Sequence, residues 1–142
     1  MRFTSAIAIA IAIVIAGAVL VLGTGPALAH HSFAAQYDAT KPIEFKGVVT
    51  KVEWTNPHAR FYVDVKDDRG DVVNWNLEIA SPSVLVRNGW KPNTLKVGDP
   101  ITVTGYLARS QPASGPRMAV ASGVTAADGT KLFASPSHEA GR

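Results

Sequence analysis

The sequence contains no cysteine. That excludes disulfide bonds, thiolate metal sites, thiol catalysis, covalent haem attachment and a lipid-modified cysteine anchor. An oxidising compartment permits disulfides, so this domain stands on packing alone. Charge of one sign is also scarce. Lys and Arg number 14 against 11 Asp and Glu, and the formal net charge is +3, one unit of which sits on Arg2. Basic and acidic residues are interspersed, without the basic stripe that tracks a phosphate backbone. No nucleophile elbow, phosphate-binding loop or dense metal-ligand motif occurs, so an enzyme is not expected.

One long hydrophobic run is present, at the start. Arg2 precedes residues 6–22, an apolar stretch rich in Ala, Ile and Val. Gly23, Gly25 and Pro26 then break any helix. Ala27-Leu28-Ala29 is the small-x-small pattern that a signal peptidase accepts. The expectation is an exported protein, periplasmic or secreted, with residues 1–29 as signal peptide and cleavage between Ala29 and His30. An uncleaved anchor is the alternative, because the run is close to the lower limit of about 17 residues for a membrane span. No Lys or Arg follows until Lys41, so the basic flank of a stop-transfer segment is missing. A cleaved leader leaves no stable membrane anchor.

The remainder reads as one small domain, as its length suggests. Residues 30–42 lack periodicity and are expected as an extended arm, with Phe33 and Tyr37 available to pin it. Residues 43–133 are expected to form the domain, and residues 134–142 a disordered tail. Residues 43–54 make a long strand. Ile43 and Phe45 face inward, then Val48, Thr50, Val52 and Trp54 share the opposite parity. Gly47 marks the switch, as a bulge or bend. Residues 59–66 and 71–79 alternate strictly and flank the hairpin turn at Asp67–Gly70. Ser81 and Pro82 open a short helix over residues 82–88, as cap and first helical residue, and Gly89 ends it. Two further strands follow at residues 101–107 and 117–124, and a short last one at residues 131–133. The fold expected is all-β with one short helix: a small five-stranded, partly open barrel of the oligonucleotide/oligosaccharide-binding (OB) type. No parallel strand pairing is expected. A plain antiparallel sandwich or a half-open sheet is the alternative.

Several short pieces occur in a fixed order: His30-His31-Ser32-Phe33, Thr55-Asn56-Pro57-His58, Asn74-Trp75, Gly89-Trp90, Leu95-Lys96-Val97-Gly98-Asp99 and Asp128-Gly129-Thr130-Lys131-Leu132-Phe133. In this the chain resembles a family of exported bacterial proteins known only as a domain of unknown function. The resemblance implies export and a single small domain, and it implies no catalytic residue.

The histidines carry the most distinctive chemistry. Cleavage after Ala29 would give His30 a free α-amine beside its imidazole, a nitrogen chelate suited to Cu(II). His31 or His58 can add a third nitrogen. The plainer reading leaves His30 and His31 as the solvated start of the mature chain. Asn56 and His58 lie in the loop between the first two strands, at the usual ligand edge of this barrel. The plainer reading there is that Asn56 and Pro57 shape the turn and His58 packs on Trp54. Tyr62 and Tyr106 have outward parity and are candidates for a ligand face. Trp75 has inward parity and belongs to the core; Trp54 is placed to plug a barrel end and Trp90 to cap the core. Asp64 and Glu78 face outward on adjacent strands, where they could pair with each other or with Arg60 and Lys66. Three functions compete. The first is an exported, non-enzymatic binding or interaction module for a small molecule, a metal or a periplasmic protein. The second is a copper-binding protein. The third is a binder of nucleic acid or another anionic polymer by analogy of fold, which export and weak charge oppose.

Overall fold

The computed structural model describes residues 33–135. The chain divides into two compact units, Met1–Ala35 and Gln36–Arg142, and every described strand belongs to the second. The expected leader, His30, His31 and the expected tail beyond Ser135 lie outside the described residues.

Alternation decides the strands. Phe61 and Val63 are buried between Arg60, Tyr62 and Asp64 on β2 (Arg60–Lys66). Trp75 and Leu77 are buried between Asn74, Asn76 and Glu78 on β3 (Val72–Glu78). β1 (Tyr37–Glu53) is long enough to pair with two partners. Its first part runs antiparallel to β4 (Pro100–Ala108) and its second part antiparallel to β2. Gly47 stands where the partners change. A β-carbon there would lie 2.5 Å from both the Asp64 carbonyl oxygen and Val63 Cγ1, so only glycine lets β2 approach this closely. The phase of β1 does not switch at Gly47, however. Val49 is 1% exposed and Val48 is 44% exposed. The switch falls at the bulge between Val49 and Lys51, where one extra residue moves Val52 and Trp54 onto the core side. β1 also begins at Tyr37, ahead of the strand expected from Ile43. The Asp38–Lys41 segment bulges between two paired positions, which hides the period-two signal.

α1 (Pro82–Arg87) follows β3, with the Ser81 hydroxyl accepting from the Val84 amide and Asn88 as C-cap. Leu85 is fully buried. β5 (Arg117–Ala126) pairs antiparallel with β4, and β6 (Lys131–Ala134) adds a short strand on β5. Ala134, expected in the tail, ends that strand. The sheet order is β3-β2-β1-β4-β5-β6, and a further β3–β5 pairing closes five strands into a barrel. This is the OB arrangement. The closing pair is parallel, against the expectation of antiparallel pairing throughout. The reason is topological: β3 and β4 each run opposite to their neighbours in the meander and the hairpin, so β3 and β5 must point the same way when they meet. The core gathers Val49, Phe61, Val63, Leu77, Leu85, Trp90, Leu95, Ile101, Val103 and Val124. Trp90 caps it, its indole N–H donating to the Leu132 carbonyl, and Trp54 packs against it half-buried.

Candidate functional site

The same alternation that sends Phe61, Val63, Trp75 and Leu77 inward puts a polar row on the opposite face of β2 and β3. Register then pairs Arg60 with Glu78, Tyr62 with Asn76 and Asp64 with Asn74. Directly opposed side chains on one face of a sheet are in reach of each other, and each of these pairs is hydrogen-bonded.

Glu78 is the hub. It is 7% exposed, the one buried charged residue among those described. Its Oε1 accepts from His58 Nδ1 at 2.8 Å, and its Oε2 accepts from Arg60 Nη2. The buried Tyr37 phenol also bonds to this carboxylate, and burial together with the Glu78 charge raises the phenol's pKa well above its ordinary range. His58 reaches Glu78 because two backbone bonds, from the Ala59 amide to the Ala80 carbonyl and from the Ile79 amide to the Ala59 carbonyl, clamp its loop to the end of β3. An ionised carboxylate can only accept, so Nδ1 is the donor in this bond, on a half-exposed ring.

From this hub a relay of bonds crosses the face. Arg60 Nη1 donates to Asn76 Oδ1 at 3.3 Å, Asn76 Nδ2 to the Tyr62 hydroxyl at 3.2 Å, and that hydroxyl to Glu53 Oε2 at 3.3 Å. Lys51 Nζ lies 2.6 Å from Glu53 Oε1 and 5.0 Å from the centre of the Tyr62 ring. Lys51, through its hydrogen bond and charge, holds the Glu53 carboxyl below its usual pKa, and the same contact raises the lysine's. Alongside, Asn74 Nδ2 donates to Asp64 Oδ1 at 2.6 Å and to Thr50 Oγ1 at 3.3 Å.

Of the residues singled out by sequence, His58 and Tyr62 belong to this network. Asn56 is exposed in the loop before His58 and is joined to Pro57 by a cis peptide bond. His58 is hydrogen-bonded to Glu78. Tyr106 is half-buried on β4, opposite Val120, which in turn lies opposite Glu78; it stands two strands from the hub. The Asp64–Glu78 pairing does not form, since the two sit at opposite ends of the row, while the alternative Arg60–Glu78 pair does. Sequence alone does not single out Asn74, Asn76, Glu53 and Lys51 as site residues. Outward parity is the signal available for the asparagines. For Glu53 and Lys51 the bulge at Thr50 conceals it. Among the described residues no group of three or more His, Asp or Glu is placed to hold a metal ion.

Residues 17–117 match the profile of a family described as "Family of unknown function (DUF6152)". No curated protein matches the chain. Among solved structures the chain is similar to the small single-stranded DNA-binding protein from Streptomyces coelicolor, with 20% identity over 60% of this chain and 90% of that one and a TM-score of 0.41. The strand pairings themselves close the barrel.

Proposed function

This chain belongs to the family of unknown function DUF6152, and we propose that its barrel is an exported, non-enzymatic binding module that reads a neutral polar ligand, of the oligosaccharide type, on the outer face of β2 and β3. The observation that carries this is the continuous relay from Lys51 through Glu53, Tyr62, Asn76 and Arg60 to Glu78 and His58. Such a relay fixes donors and acceptors before a ligand arrives, so little ordering entropy is lost on binding. Its composition favours an uncharged partner. Glu53, Asp64 and Glu78 bring carboxylates to the face, and Lys51 covers one side of the Tyr62 ring. An anionic strand instead needs a basic groove with free aromatic faces.

Nuclear magnetic resonance titration of the 15N-labelled protein tests the reading. Neutral oligosaccharides should shift Arg60, Tyr62, Asn74 and Asn76, with little dependence on salt, and the double variant Arg60→Ala/Asn76→Ala should abolish the shifts. Shifts on this face with a thymidine oligonucleotide, falling steeply as salt rises, would support the anionic-polymer reading instead. Export is tested by the intact mass of the protein from the periplasm, which should begin at His30.

Copper binding is a second reading, and the orientation of His58 favours it. A carboxylate on one ring nitrogen is the usual support of a metal-ligating histidine, leaving the other nitrogen free. In this reading His30, through its amine and imidazole, would bind Cu(II) with His31 or His58. Proteins beginning at His30 and at one residue before it should give different electron paramagnetic resonance spectra with Cu(II); identical spectra would remove the terminal chelate.

A further inference from the structure

The barrel has a second feature, at the end where the β2–β3 hairpin and the start of β5 meet the first part of β1. A cavity of about 390 Å³ opens there among Ile43, Phe45, Val65, Val73, Trp75 and Arg117. The Phe45 and Trp75 rings form its floor, with centroids 4.8 Å apart and planes tilted by 35°. Ile43, Val65 and Val73 are only half-buried although they face the interior. Apolar side chains in that state mark a mouth that the protein's own core does not fill. Its size falls within the range of about 300–1,000 Å³ typical of small-molecule sites, and barrel mouths are a common place for them.

Arg117 supplies the polar element. It opposes Trp75 in the parallel β3–β5 register, and the next residue of the same parity, Ala119, is buried. Arg117 therefore starts the inward row of β5, at the rim. Its guanidinium lies over the Trp75 ring, 4.8 Å from the centroid. Ion pairs among the described residues engage Arg60, Arg69 and Arg109 but leave Arg117 out. Two carboxylates also border the cavity, and neither competes for the guanidinium. Asp67 is committed to its own turn, where Oδ1 accepts from the Arg69 and Asp71 amides and Oδ2 pairs with Arg69. Glu44 has the parity opposite to Ile43 and Phe45 and so faces away from the interior. A guanidinium stacked on an aromatic ring keeps its N–H edges available for planar, bidentate bonding to a carboxylate.

We propose that this mouth is a binding site for a small carboxylic acid with an aromatic or branched apolar body, the body resting on Phe45, Trp75, Val65 and Val73 and the carboxylate bonding Arg117. The proposal uses inward side chains only and does not rest on the outer-face reading. The decisive comparison titrates the protein labelled with 15N and 13C with 3-phenylpropanoate, its amide and the corresponding amine, following the Trp75 indole and the Val65 and Val73 methyl groups. The acid should shift all three and bind about tenfold more tightly than the amide, the difference expected of one charge-assisted contact. Arg117→Gln should make acid and amide equal while leaving the spectrum of the rest of the barrel unchanged, and Arg117→Lys should keep part of the preference. Equal binding of acid and amide to the unaltered protein would overturn the proposal. So would tighter binding of the amine, which would mean that Glu44 and Asp67 set the charge of the mouth, and so would a titration in which these three signals do not move.

Discussion

Replacing Glu78 with alanine is the sharpest test of the hub. The carboxylate is buried and accepts from His58, Arg60 and Tyr37. Removing one member of a buried, hydrogen-bonded ion pair costs about 3–5 kcal/mol, because the partner stays desolvated. The Arg60 side chain is 30% exposed and the His58 ring more so, so water reaches both and the cost belongs at the low end. Loss of the interaction with the buried Tyr37 phenol keeps it from falling further. The expected loss is about 3 kcal/mol, which for a domain of this size lowers the melting temperature by roughly 12–24 °C. Glu78→Gln retains one acceptor and loses the charge. Its oxygen can face Arg60 while the His58 ring changes tautomer to accept from the new amide, so the expected loss is only about 1–2 kcal/mol. Thermal and urea unfolding followed by circular dichroism at neutral pH measures both. The double variant Arg60→Ala/Glu78→Ala should be less damaged than the sum of its parts by about 1 kcal/mol or more, the mark of residues in one network. Losses below about 0.5 kcal/mol for Glu78→Ala, or strict additivity in the cycle, would refute the hub as a coupled structural element.

Further outcomes rest on the same geometry. Trp75→Ala should cost about 3 kcal/mol in urea unfolding, the low end for a large core side chain, because the ring borders the open mouth beside Arg117. Gly47→Ala should destabilise by about 1–3 kcal/mol, the range for overpacking, since the added carbon would sit 2.5 Å from β2 atoms; an unchanged midpoint would mean that the strands can part there. The raised pKa of Tyr37 has a sign that alkali can test. The folded protein keeps a phenol proton that the unfolded chain releases above about pH 10, so the stability it contributes is complete below that pH and drains away as pH rises past it. Between about pH 9 and pH 11, Tyr37→Phe should lose less stability than the unaltered protein, and parallel losses would detach Tyr37 from the alkaline transition.

The identity of the elements is legible in the sequence because it is local. Strict alternation on β2 and β3 leaves each residue one face to occupy, and Ser81-Pro82 followed by Gly89 sets helix ends by cap chemistry within a few residues. His58 and Tyr62 can be picked out for the same reason, from a loop position and a parity. Where a period is interrupted the signal fails. The bulges at Asp38–Lys41 and Thr50 shift β1 out of phase, so simple alternation puts Val48 inside where Val49 belongs, and it gives no sign of Lys51 and Glu53 beside Tyr62.

On β2 and β3 the residue pattern alone assigns each side chain to a face, since backbone pleating is a property of neighbouring residues. Which faces meet is set by the folded barrel. Glu78 is an ordinary outward glutamate until register brings Arg60 opposite, the Ala59–Ala80 clamp delivers His58 and the Tyr37 end of β1 covers it. Trp75 is an ordinary core residue until the parallel closure of β3 on β5 sets Arg117 over its ring. Both arrangements join residues some 18 to 42 positions apart, and contacts of that separation depend on loop closure and barrel topology, which no short stretch of chain encodes.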